Sequence, residues 1–140
     1  MSGKAIVLDA NILIRAVLGK RVRALILENV GAVQFFAPEA AYADARKYLP
    51  ALLEKRGIPS GAAVQVLDGF ESVVQTVELE LYEGMKQQAL QRIAVRDADD
   101  RPVLACAMAL GCPVWTEDAD FFGTGVATWT SDRVALYFVA

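Results

Sequence analysis

The segment Val103–Leu110 (VLACAMAL) carries no charged, hydroxyl or amide side chain, and Gly111 closes it. A helix that is apolar all round has no face to offer water, so it must lie inside the molecule with other elements packed around it. The rest of the chain supplies those elements as an alternation of short apolar runs and helical patterns. Lys4–Asp9 (KAIVLD) is a β-branched run ending on an acid and reads as a buried strand. Ile12, Leu13, Val17 and Leu18 then keep helical spacing, with Asn11 placed to cap them. Leu25–Leu27 continue the pattern beyond Gly19, which divides it into two helices.

Gly31 ends that region, and Val33–Ala37 (VQFFA) reads as the second strand. Pro38 opens a helix, where its missing amide proton costs nothing. Ala41, Ala45, Tyr48, Leu49 and Leu52 recur in it at three and four, and Gly57 stops it. Helical stretches at about 61–70 and 78–94 flank Val73–Val77, which fits strand or loop. Val114–Thr116 reads as a third strand, Val126–Thr130 as a fourth and Val134–Val139 as a fifth. Strands alternating with helices predict an α/β fold. The expectation is a single domain over residues 1–140, with a mostly parallel central sheet of four to five strands covered by helices on both faces.

Composition narrows the chemistry. The chain has no histidine, which excludes imidazole acid–base catalysis and His-ligated zinc. Its two cysteines, Cys106 and Cys112, are too few for a disulfide framework and read as small core residues. Fourteen Lys and Arg against seventeen Asp and Glu leave a net charge of −3, so any contact with nucleic acid must rest on a local patch. Val103–Trp115 is the longest uncharged apolar stretch, and a membrane span needs about twenty residues. The expected location is the cytoplasm, with no membrane contact.

The acids fall where an α/β sheet places a site. Ligands in such folds bind beyond the carboxyl ends of the strands. Asp9 ends the first strand, Asp44 lies in the second turn of the helix after the second strand, and Asp97, Asp99 and Asp100 precede the apolar helix. Asp118 and Asp120 follow the third strand through Thr116 and Glu117. Carboxylates drawn together raise one another's pKa. A hard divalent cation relieves this, and an all-oxygen donor set selects Mg2+ or Mn2+ over zinc. Such a centre can activate water for an in-line phosphoryl displacement.

Three segments carry a resemblance. IVLDANILIRAV (6–17), PEAAYADARKYL (38–49) and DRPVLACAMALGCPVWTEDADF (100–121) are similar to the first strand with its Asp-x-Asn opening, the helix of the second acid, and the third-acid helix with its Thr-x-Asp-x-Asp-Phe ending in PIN-domain proteins, the fold of VapC-type toxins and related ribonucleases. The resemblance implies an Mg2+- or Mn2+-dependent endoribonuclease that cuts single-stranded RNA by metal-activated water. It implies catalytic acids at Asp9, Asp44, Asp100 and Asp118, with metal held by Asp9, Asp100, Asp118 and Asp120. Asp44 stands where the family has Glu, which leaves Glu39 as an alternative second acid. Asn11 and Thr116 would orient Asp9 or Asp118. It further implies a homodimer and, for a toxin, an antitoxin protein as partner.

Each acid also has a plain reading. Asp100 suits a helix N-cap before Pro102, Asp118 and Asp120 suit turns, and Asp44 suits a solvated helix face. Among the cations, Lys20, Arg21, Arg23, Arg46, Lys47 and Arg92 are candidates for RNA contact. Arg96 and Arg101 flank the third-acid segment and are the first choice for a phosphate. Trp115 and Trp129, like Phe35, Phe36, Phe121 and Phe122, read as packing aromatics. A second function class remains: a PIN-like fold with a weak site, serving as an RNA- or protein-binding module. A receiver-like phosphoacceptor is disfavoured, because Asp9 has no acidic neighbour and no lysine follows Lys86. A dehalogenase-like phosphatase would need an acid where Asn11 stands.

Overall fold

β1 (Lys4–Leu8) runs through the middle of a five-stranded sheet, hydrogen-bonded in parallel to β2 (Val33–Pro38) on one side and β4 (Val114–Trp115) on the other. The computed structural model, which describes residues 4–93 and 100–139, completes the sheet with β3 (Val74–Val77) beside β2 and β5 (Thr128–Trp129) beside β4. The order is β3-β2-β1-β4-β5, with every pair parallel. Ile6, Val7 and Leu8 have no exposure, as a central parallel strand requires. The helices are α1 (Ala10–Leu18), α2 (Lys20–Leu27), α3 (Glu39–Lys55), α4 (Ser60–Gly69), α5 (Leu79–Tyr82), α6 (Lys86–Ile93), α7 (Arg101–Leu110) and α8 (Val134–Val139).

The apolar α7 is enclosed as its composition demands. Val103–Ala107 are buried, and the helix touches β1, β2, α3, α5 and α6. It ends at Gly111, whose φ of 66° lies in the left-handed region that favours glycine.

Several boundaries differ from expectation. Val134–Val139 is a helix and not a fifth strand: Val134 and Phe138, four apart, are buried, whereas Leu136 between them is 57% exposed. That is helical spacing, and it brings the Phe138 ring edge-on against Phe35 and Trp115. Val74–Val77 supplies the fifth strand instead. The 78–94 stretch divides into α5, a tight turn at Glu83–Met85, and α6. Asp9, not Asn11, caps α1. Its backbone is extended, its carboxylate accepts from the Ile12 amide, and Asn11 is already the second helical residue. Phe122 is half exposed, unlike Phe35 and Phe121, which are in the core.

Candidate active site

The strand order reverses direction at β1. The half leading to β2 and β3 lies on one side and the half leading to β4 and β5 on the other, which opens a crevice beyond the carboxyl ends of β1 and β4. Leu8 pairs with Trp115, so the next residues out, Asp9 and Thr116, stand side by side at its mouth. Thr116 Oγ1 donates to Asp9 Oδ2 at 2.5 Å, and Asp9 Oδ1 accepts from the Ile12 amide at 2.9 Å. The Thr116 oxygen in turn accepts from the Asp118 amide at 3.0 Å, and Asp118 Oδ1 accepts from the Asp120 amide at 2.9 Å. One chain of hydrogen bonds therefore orients the acids of β1 and of the segment after β4. Phe121, with no exposure, anchors that segment in the core.

Asp9 is 5% exposed. Burial pushes its carboxyl up to about 6, against the pull of the Thr116 hydroxyl and the Ile12 amide, and the charges of Asp118 and Glu117 push the same way. A carboxylate in such a setting favours a proton or a cation.

Asp100, Asp118 and Asp120 each offer a carboxylate oxygen within 4.8 Å of the others. Asp100 occupies the N-cap position of α7 without making a capping bond to it. It also lines a cavity of about 420 Å³ together with Asp9, Asn11 and Asp44. The floor of that cavity comes from one face of α3, where Ala40, Ala41, Asp44, Tyr48, Ala51, Leu52 and Lys55 recur at helical spacing. Asp100 thus belongs both to the three-carboxylate cluster and to the cavity of Asp9 and Asp44. The donor set is all oxygen, and three such oxygens this close fit a hard divalent cation.

Glu39 is exposed and turned to another use, accepting from the Leu79 amide at the start of α5. Asn11 is exposed at the cavity rim, and its side chain makes no hydrogen bond to Asp9. Arg101 is half-buried at the first position of α7, beside Asp100. Arg96, with Asp97 and Asp99, lies outside the described residues. Three other cations are engaged in the fold. Arg23 donates to the carbonyls of Ala16 and Val17 at the end of α1, Arg46 pairs with Asp68 and Glu71, and Arg92 donates to the Thr124 carbonyl. Burial pushes the Cys106 thiol up to about 12 and the Cys112 thiol to about 11; Cys106 lies in the core, and Cys112 is half-buried against it. Tyr48, which the apolar spacing of α3 assigns to packing, is half exposed and lines the cavity, as does Lys55; both lie at helical spacing from Asp44 on the same face. No helix among the described residues is long and apolar enough to cross a membrane.

Comparison with known proteins follows the same outline. Residues 7–139 match the family model for the PIN domain. A search of curated proteins finds no match. Among solved structures, the fold is similar to VapBC2 of Rickettsia felis, crystallised with a DNA fragment from their promoter, at a TM-score of 0.66 and 14% identity over 90% of this chain and 98% of that one. It is also similar to FitAcB of Neisseria gonorrhoeae, at a TM-score of 0.58 and 20% identity over 91% of this chain and 99% of that one. The switch-point crevice with its acids and the match over nearly the whole sequence lead to one assignment: the chain belongs to the PIN-domain family.

Proposed function

We propose that this PIN domain is an Mg2+- or Mn2+-dependent endoribonuclease that cuts single-stranded RNA. The observation that carries the reading is the meeting of Asp100, Asp118 and Asp120 within 4.8 Å beside the buried Asp9 at the sheet's switch point. Asp100, Asp118 and Asp120 would hold the metal, with Asp9 and Asp44 facing the same cavity as Asp100. A bound divalent ion would supply activated water and offset charge on the scissile phosphate.

The chain's own groups do the rest. Thr116 holds Asp9 in one orientation through its hydroxyl and holds the Asp118 backbone through its lone pair. Asp9, with its carboxyl raised to about 6, can exchange a proton closer to neutral pH than an ordinary carboxyl, in a chain with no histidine to do so. Asp44 rather than Glu39 is the second acid in this reading, because Glu39 is occupied at the start of α5. Arg101 and Arg96 are assigned to the phosphate backbone of the substrate.

The VapBC2 neighbour supports a paired antitoxin as partner, and a homodimer in the cytoplasm completes the reading. Light scattering on the purified chain tests the dimer, and a monomer at high concentration would remove it.

The test of function is a pool of randomised single-stranded RNA incubated with Mn2+, with chelator, and with Asp9→Asn in place of the wild type. Cutting confined to the wild type with Mn2+ is expected. Intact RNA together with a melting temperature that Mn2+ leaves unchanged would turn the assignment to a binding module.

A further inference from the structure

A second groove, of about 580 Å³, adjoins the acidic cavity and shares Asn11, Ile14 and Leu52 with it. Its lining differs sharply in charge. Arg15, Lys20, Arg21 and Arg56 all face it, and among the described residues no carboxylate lines it, in a chain whose acids outnumber its bases. These side chains come from three places: the last turn of α1, the first turn of α2, and the residue that ends α3. The fold, and not a run of basic sequence, gathers them.

Helix electrostatics explain only part of the arrangement: Arg15 and Arg56 sit at the C-terminal ends of α1 and α3, where the dipole favours a cation. Lys20 and Arg21 occupy the first turn of α2, where the helix dipole disfavours positive charge, and that turn has no acid and no side-chain cap to compensate. Arg21 is held by Asp132 at 3.0 Å and by the Ser131 carbonyl at 3.2 Å, both beside the groove. Arg15, Lys20 and Arg56 are exposed. By contrast Arg23, their neighbour in sequence, turns away to the α1 carbonyls. Four cations gathered from three helices onto one groove beside the proposed site for a polyanion, with Lys20 set against the dipole of its own helix, point to a ligand that brings its own negative charge.

We propose that this groove is the track for the phosphate backbone of the RNA strand as it leaves the acidic cavity, with Arg15, Lys20 and Arg56 as its phosphate contacts. The inference rests on the ribonuclease reading for the identity of the strand. Asn11, Ile14 and Leu52 form the shared edge over which the chain of phosphates would pass from carboxylates to cations. An acidic protein segment is the competing occupant, but a partner peptide does not need a path continuous with the catalytic cavity.

The test measures binding apart from cutting. A short fluorescein-labelled single-stranded RNA of mixed sequence is titrated with the full chain carrying Asp9→Asn, in Mg2+ and at several salt concentrations. Three proteins are compared in that background: one with no further change, one with Arg15→Gln, Lys20→Gln and Arg56→Gln, and a charge-matched control with Lys4→Gln, Lys86→Gln and Arg133→Gln. Circular dichroism confirms that each is folded. Losing three phosphate contacts should lower the slope of log K against log salt by about 2, a weakening of about ten- to a hundredfold near 0.1 M salt. The control should keep most of the affinity and slope. Equal losses in both triple variants, unchanged binding in the groove variant, or no RNA binding at all would overturn the proposal. It would also fall if the groove triple abolished binding of a polyglutamate peptide while RNA binding stayed intact. Groove-dependent RNA binding together with no Mn2+-dependent cutting by the wild-type chain would sink the nuclease reading and leave the track standing.

Discussion

Thr116 and Asp9, 107 residues apart in the chain, share a hydrogen bond of 2.5 Å across the ends of two adjacent strands. The bond joins the two halves of the sheet at the crevice and serves an acid with little access to water. Replacing Thr116 with Val keeps the shape and removes the hydroxyl. The buried carboxylate then loses its donor, and the Asp118 amide loses its acceptor. A destabilisation of roughly 2 kcal/mol is expected at pH 8. Because the hydroxyl favours the ionised form of Asp9, part of this loss should fade below about pH 4, where Asp9 is protonated in both folded and unfolded chains. Thr116→Ser should recover most of it. Thermal melts of the three proteins at both pH values check the pattern.

Asp9 itself has a stability cost when charged. Its carboxyl titrates near 6 in the fold against 3.8 for the ordinary group, so the folded chain binds the proton more tightly. The stability conferred by protonation is complete below about pH 4 and is lost as pH rises through about 6. Asp9→Asn carries no charge at any pH. In chelator it should exceed the wild type in stability above pH 6 by on the order of 2–3 kcal/mol, and the two should converge near pH 4. Denaturant melts across that range provide the measurement.

Glu39 and Asp44 separate by function. Glu39→Ala removes the acceptor of the Leu79 amide and should cost about 1 kcal/mol with little change in RNA cutting. Asp44→Asn should leave the fold at wild-type stability or above and reduce cutting at least tenfold. Paired melting and cleavage assays on the two variants distinguish the assignments, and the reverse pattern would make Glu39 the second acid.

Gly111 closes α7 at a φ of 66°, with open space where a Cβ would stand. Strain alone is therefore at issue, and Gly111→Ala should lower stability by about 1–2 kcal/mol. Asp100, at the other end of α7, should keep its role, so cutting per folded molecule should be unchanged.

Much of this site could be read from residue order, because strand ends and acids coincide: Asp9 after KAIVL, and Asp118 and Asp120 after Val114–Trp115. Other features depend on contacts that a linear pattern does not carry. Val134–Val139 is apolar enough for a strand or a helix, and only the burial of Val134 and Phe138 against Phe35 and Trp115 decides for the helix. Asn11 is a good cap by residue type, but Asp9 is another, and the cap falls on Asp9 because the helix starts at Ala10. Lys20-Arg21-Val22-Arg23 looks like one basic patch in sequence. The fold splits it, sending Arg23 to the α1 carbonyls and joining Lys20 and Arg21 to Arg15 and Arg56 from other helices.

The carboxylates of Asp100, Asp118 and Asp120, beside Asp9, are proposed above as a metal centre that cuts RNA. The most direct measurement is the Mn2+ dependence of single-stranded RNA cleavage by the wild type and by Asp118→Asn, with the Mn2+-induced shift in melting temperature read on the same samples. Mn2+ should raise the wild-type melting temperature and switch on cutting, and Asp118→Asn should lose at least ten- to a hundredfold of the activity along with most of the thermal shift. Equal cutting by both proteins, or cutting by the wild type that persists in chelator, would contradict it.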